Sequence, residues 1–227
     1  MEFNSLTQFP LYFFIFSLGH LYMEKCLFIQ QLCEEGFLLF PCDEYHKPLL
    51  NVSNFRVELF RFNEEMKLKI HHGTFNYSQN LALLCGVRNE LVVVDVDKEF
   101  RGTSVWKDWL LRYNGGKDIE TLKIETAGGG LHYYFHFQRE QFYPFESIYR
   151  PSFQTYGKAG IDLIAENGYV MIPFTVHLNG NVYSIKNYSS GVNIKEQINH
   201  LPEWLFLLFK NTTEWRKNNI FRLNYKT

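Results

Sequence analysis

A chain of 227 residues, 46% hydrophobic and 21% charged, has material for one large domain or two small ones and is not a mainly disordered chain. Its net charge of -1 supplies no global attraction to nucleic acid or membrane, so any phosphate binding must come from a local arrangement. The four cysteines, Cys26, Cys33, Cys42 and Cys85, form no Cys-x-x-Cys pair and have no His at zinc spacing. That argues against a structural zinc and for reduced, mostly buried thiols in a cytoplasmic setting.

Phe9 to Met23 is mostly apolar, but Glu2 precedes it where a signal peptide carries Lys or Arg, and Pro10 interrupts it. It is also shorter than the roughly 20 residues a bilayer requires. No membrane segment is expected. A packed helix or an extension ahead of the organised sequence fits better, with Met23 a plausible alternative start. Residues 1–22 are therefore set apart from a domain over 23–210, and 211–227 from a polar tail. From Met23 the pairs Phe28-Ile29 and Leu32-Cys33 recur at helical spacing, Gly36 follows as a C-cap candidate, and Phe37 to Pro41 makes a strand. Lys47-Pro48 sits in a polar loop. Over Asn51 to Ser78 the pattern assigns neither helix nor strand.

Asn80 to Gly86 predicts a strand, Arg88-Asn89 a turn, and Leu91-Val-Val-Val-Asp95-Val-Asp97 a second strand, the two forming a hairpin. Strand side chains alternate, so Asp95 and Asp97 share one face while Val94 and Val96 share the other. Two like charges side by side either share a proton or hold a cation between them. The plainer alternative is a strand end running into a polar turn. Next, Ser104 to Leu111 has helical spacing with Ser104 as N-cap, closed by Asn114-Gly115-Gly116.

Leu122 to Thr126 and Leu131 to Phe137 are strand-like, the second placing His132, Tyr134 and His136 on one face. Between them Gly128, Gly129 and Gly130 either expose backbone amides, as phosphate-binding loops do, or make a flexible turn. Phe142 to Tyr156 is expected as a loop. Ile161 to Ile164 is an apolar strand carrying Asp162, which is disfavoured there unless something satisfies it or its face is solvated. Asn167-Gly168 predicts a hairpin turn into Tyr169 to Pro173, Asn179-Gly180 another within Val176 to Tyr183, and helical segments around Pro202 close the domain.

This ordered set resembles the bifunctional primase-polymerase (Prim-Pol) domain of the archaeo-eukaryotic primase superfamily. The resemblance rests on Asp95-Val96-Asp97, on Gly129-Gly130-Leu131-His132, on Gly160-Ile161-Asp162, and on Gly168-Tyr169-Val170 with Pro173 after it. Gly36-Phe37 to Pro41, Lys47-Pro48, and the trailing His177, Gly180 and Tyr183 agree in order as well. Coverage runs from about Met23 to about Leu208. Pro173-Phe174-Thr175 departs from the Pro-Pro-Ser of relatives yet keeps the hydroxyl, and Cys85 stands where a small hydroxyl residue is common. No Walker-type Gly-x-x-x-x-Gly-Lys motif is present.

The resemblance implies an α+β fold, with an RRM-like antiparallel or mixed β-sheet core, flanking helices and an N-terminal α/β unit. It implies nucleotidyl transfer on single-stranded DNA from NTPs or dNTPs, with a separate replicative helicase as partner. It implies two divalent cations, Mg²⁺ or Mn²⁺, held by Asp95, Asp97 and Asp162, and nucleotide contacts from His132, Gly129, Gly130 and Lys158. Two other classes use similar residues. A metal-dependent nuclease or phosphohydrolase would use the carboxylates to activate water. A non-catalytic RRM-like module would stack bases on Tyr134 and His136.

Overall fold

Helix α1 (Phe9–Glu34) runs through Met23 without a break, and its pairs at helical spacing, Phe28, Ile29, Leu32 and Cys33, are buried. It ends where expected. Gly36 has φ 79°, and the Phe37 and Gly36 amides donate to the carbonyls of Leu32 and Cys33, the paired bonds that close a helix on a left-handed residue. The computed structural model describes residues 9–51, 55–136, 153–154, 160–166, 168–189 and 191–209. The 211–227 tail, Lys158 and nearly all of the Phe142 to Tyr156 loop lie outside them, but 153–154 form a short strand rather than loop. No helix among the described residues is long and apolar enough to cross a membrane.

The stretch that gave no clear period is helix α2 (Phe55–His71). Its buried positions are Leu59, Asn63 and Met66, four and three residues apart, so a polar residue occupies the middle of the inward stripe and hides the helical period. Asn63 has a reason to be there. Its amide accepts from Leu39 N at 3.0 Å and donates to Leu39 O at 2.8 Å, pairing the free backbone of strand β1 (Leu39–Cys42).

The remaining elements complete an α+β architecture of four helices and two sheets among the described residues. They are β2 (Asn80–Leu84), β3 (Leu91–Val96), α3 (Gly102–Tyr113), β4 (Lys123–Glu125), β5 (Leu131–His136), β6 (Phe153–Gln154), β7 (Ile161–Ile164), β8 (Tyr169–Met171), β9 (Ser184–Ile185), β10 (Asn199–His200) and α4 (residues 203–209). The smaller sheet has order β1-β2-β8 and the larger β6-β7-β3-β5-β4-β9, all antiparallel, with β10 added parallel to β5. α2 covers the outer face of the smaller sheet through Leu59 against Phe40, Ala82 and Met171. α1 and the inner faces of both sheets share one core, and α3 and α4 cover the far face of the larger sheet through Trp106, Trp109 and Leu205.

Two of the three expected hairpins are corrected, while the turn at Asn179-Gly180 forms with Val176 bridged to Val182. β2 and β3 belong to different sheets, joined by one bridge, Gly86 to Leu91. Likewise β7 pairs with β3 while β8 leaves for β2, although Gly168 N still makes its turn bond to Ala165 O. The chain thus crosses between sheets at both of these turns, and once more where β8 gives way to β9. The reason is burial: β2 and β3 are apolar on both faces, so alternation carries no instruction about which neighbour to take. Ser104 is not the N-cap of α3 either; Arg101, at φ 66°, holds that position without a side-chain bond.

Asn89 fixes the first crossing. Buried at 6% exposure, it accepts from Leu38 N and donates to the carbonyls of Leu38 and Leu84 at 2.7, 3.0 and 2.8 Å. Asn89→Ala takes this partner from Leu38 N and Leu84 O, while Leu38 O keeps its bond from Leu84 N at 3.2 Å, so an unfolding free energy lower by about 1–3 kcal/mol is expected in urea titration.

Candidate active site

Strand β3 sends Val92, Val94 and Val96 into the core beneath α3 and α4. Alternation then turns Leu91, Val93 and Asp95 to the face shared with the smaller sheet. Leu91 and Val93 are sealed there, whereas Asp95 lies nearer the open end and keeps 31% of its side-chain surface. The two neighbouring strands set what stands beside it. Asp95 is directly opposite Asp162 on β7 and directly opposite His132 on β5. Opposed residues share a face with Cβ atoms roughly 4.5–5.5 Å apart, so Asp162, Asp95 and His132 form one row across three strands. Asp97 lies one step further along the same face. Its amide donates to Gly160 O at 2.7 Å, and its Oδ1 accepts from Glu99 N at 2.8 Å.

The row is electrostatically uncomfortable by itself. Burial, and secondarily the charge of Asp97, push the Asp95 carboxyl up to about 7. Burial pulls the His132 imidazole down to about 4. His132 Nε2 and Asp95 Oδ1 are 3.5 Å apart, yet with these shifts the pair is not an ion pair at neutral pH. His132 Nδ1 is buried without a hydrogen-bond partner. Burial thus sets a neutral imidazole beside a half-protonated acid at neutral pH.

The glycine turn acts through space rather than through free amides. Gly129 N donates to Thr126 O at 2.8 Å and Gly130 N to Thr126 Oγ1 at 3.0 Å, so both amides named as phosphate donors are spent inside the turn. A Cβ on Gly130 would stand 2.5 Å from Val96 O and 3.4 Å from the Asp97 Cα; its absence lets the turn descend onto the end of β3. A Cβ on Gly129 would meet Lys98 Cδ and Nζ, each at 3.3 Å. Lys98 therefore lies across the turn beside the acidic pair. No sequence argument singled it out, because a Lys after a strand is ordinarily a solvated charge; only the glycine beneath it marks it. Tyr134 is 2% exposed, which removes it from any stacking surface on this sheet.

Among the described residues no three His, Cys, Asp or Glu side chains close on a point as a ready-made metal cage. The row nonetheless fits divalent cations chemically. It offers oxygen donors from adjacent strands, the choice of Mg²⁺ and Mn²⁺, and a buried Asp95 whose charge a cation would relieve.

Fold and site together define an α+β protein with an acidic row and a neutral imidazole on one sheet face. The family model for the bifunctional DNA primase/polymerase N-terminal domain (Prim-Pol) matches residues 30–204. The chain belongs to that family, whose membership implies primase/polymerase activity, DNA and nucleotide substrates and divalent metals. No curated protein matches the chain.

Proposed function

We propose that the chain is a template-dependent nucleotidyltransferase, a DNA primase/polymerase that forms phosphodiester bonds from NTPs or dNTPs on single-stranded DNA. Its core then corresponds to the RRM-like sheet of the archaeo-eukaryotic primases, and a replicon's separate helicase supplies unwinding. The observation that carries this reading is the row Asp162–Asp95–His132 with Asp97 one step on.

Asp95, Asp97 and Asp162 would hold two divalent cations, Mg²⁺ or Mn²⁺. Those ions, when bound, stabilise charge on the attacking 3'-oxygen and the leaving pyrophosphate. The chain's own residues do the rest. Asp95 must release its proton to bind a cation, a loss that its burial and, secondarily, its neighbour Asp97 oppose. His132, neutral by burial, donates through its single N–H to a phosphate oxygen and needs no protonation to do so. Lys98 supplies the positive charge over the glycine turn that the spent amides of Gly129 and Gly130 do not.

The test is purified protein with single-stranded DNA, labelled nucleotides and Mg²⁺ or Mn²⁺, with and without a primer. Synthesis supports the proposal, and degradation without synthesis replaces it with a hydrolase. His132→Ala is expected to raise the nucleotide KM by about 10- to 100-fold, the loss of one charge-assisted hydrogen bond, with a smaller change in kcat. An unmoved KM removes His132 from the nucleotide site.

A further inference from the structure

The wall facing the acidic row is built from rings. The Tyr183 ring centroid lies 6.1 Å from that of His132 and 6.0 Å from that of His46. His46 in turn meets His177 edge-on at 5.1 Å. These side chains come from three separate places: β5, the loop after β1, and the small hairpin around the Val176 to Val182 bridge. Such a ladder needs support from several sides, and each side has it. Asp43 Oδ1 accepts from Tyr45 N and Lys47 N at 2.9 and 2.8 Å, closing the loop around His46. Tyr169 Oη donates to His46 O at 3.2 Å.

His46 itself sits at φ 63°, a conformation that side chains with a Cβ adopt at a cost and that clusters at binding sites. The backbone of His46 is held by its amide on Asp43 O at 3.1 Å and by Tyr169 on its carbonyl, whereas its Nε2 is buried without a hydrogen-bond partner. The hairpin carrying His177 and Tyr183 is tied to the glycine turn: Asn179 Nδ2 and Asn181 Nδ2 both donate to Ala127 O, at 3.3 and 2.9 Å. The two walls are thus fixed to each other beside Asp97. Tyr183, His46 and His177 are half-buried, so each ring keeps exposed surface while being held by its neighbours.

We propose that Tyr183 and His46 form the wall on which the nucleoside of the bound nucleotide packs, the sugar against Tyr183 and the base against His46, with His177 bracing His46. The proposal rests on the nucleotide reading of the acidic row. The order along the ladder follows from it: a phosphate at His132 puts the sugar at the adjacent ring and the base at the next. Aromatic and imidazole faces accept any base, as template-directed synthesis requires, because every base has a π-face. Contact with the sugar makes Tyr183 the residue that weighs ribose against deoxyribose.

The experiment is calorimetric titration of the full chain, in Mn²⁺, with ATP, dATP and inorganic tripolyphosphate. Tyr183→Leu and His46→Leu are each expected to weaken ATP about tenfold, one stacking contact, and to leave tripolyphosphate unchanged. Tyr183→Leu also shifts the ATP to dATP ratio, and Tyr183→Phe, which keeps the ring, retains ATP binding. Lys98→Ala weakens ATP and tripolyphosphate alike. If the Leu variants lose ATP and tripolyphosphate equally, or lose neither, the ring wall is wrong while the phosphate site stands. If the unmodified chain binds neither, the nucleotide reading falls and the ring wall with it.

Discussion

Asp95→Asn should abolish primer synthesis, by a factor on the order of a thousand or more, while the fold survives. The substitution keeps the size and the outward hydrogen-bonding edge of the side chain and removes the charge at the centre of the row, between Asp162 and His132. Metal-stabilised charge at the reacting oxygens is worth several kcal/mol, and each 1.4 kcal/mol is about tenfold in rate. Asp97→Ala has the same sign, since Asp97 is next along the same face. The fold is expected to survive because the core of β3 is carried by Val92, Val94 and Val96 on the other face and by Leu91 and Val93 below. The measurements are primer synthesis, Mn²⁺ titration and a urea curve for each variant. Retained synthesis in either variant sinks the assignment of the pair, and a collapsed urea transition assigns the loss to folding instead.

The second large effect is on stability against pH. The Asp95 carboxyl is raised from 3.8 to about 7 in the fold, so the native chain holds that proton more tightly than the unfolded chain does. The stabilisation is fully present below about pH 4 and is lost as pH rises toward 7. In chelator, unfolding free energy from this group should therefore fall between pH 4 and 7. The full shift corresponds to about 4 kcal/mol, and since the side chain keeps 31% of its surface, about 2 kcal/mol after solvent screening is the expected size. Asp95→Asn flattens that window and leaves the chelated protein more stable at pH 8 than the unmodified chain. Added Mn²⁺ should stabilise the unmodified chain more at pH 8 than at pH 5, because a cation competes with the proton for the same oxygen. A stability profile that is flat, or that rises with pH and is unaffected by Asp95→Asn, contradicts the burial of that carboxyl.

The two expectations concern one side chain and pull against each other. The charge that the proposed chemistry needs is the charge that the metal-free fold is better without, a common trade at functional positions. Asn89 and Asn63 show the opposite bargain. Each is a buried polar side chain fully engaged with backbone groups, and each holds an element whose position the apolar pattern leaves open.

How much was legible differs by element. The period of two along β3 and β5 assigned faces correctly: Val94 and Val96 to one core, Asp95 to the other side, and His132 with Tyr134 away from Tyr133 and Phe135. The helical spacing after Met23 and its glycine stop were equally readable. α2 was not, because Asn63 interrupts its apolar stripe to serve strand β1. Lys98 and His46 were not, because a solvated Lys and a loop His carry no period at all, and His177 and Tyr183 were marked by the resemblance without any sign that they meet His46. The glycines were visible as a motif, but their amides are spent in the turn, and their use is to make room.

By itself, then, the order of residues determined which side chains share a face, where α1 stops, and that three carboxylates and a histidine are spread over three short strands, Asp95 and Asp97 sharing one. Those are local properties, set by the alternation of a strand and the conformational freedom of glycine. Tertiary structure decided which strands are neighbours. β2, β3 and β8 are apolar enough to pair with several partners, so tight turns misled, and the crossings between sheets were set by Asn89 and by burial between the layers. Only the register β7-β3-β5 turned Asp162, Asp95 and His132 from three positions into one row, because cross-strand distance is a property of pairing and not of sequence separation.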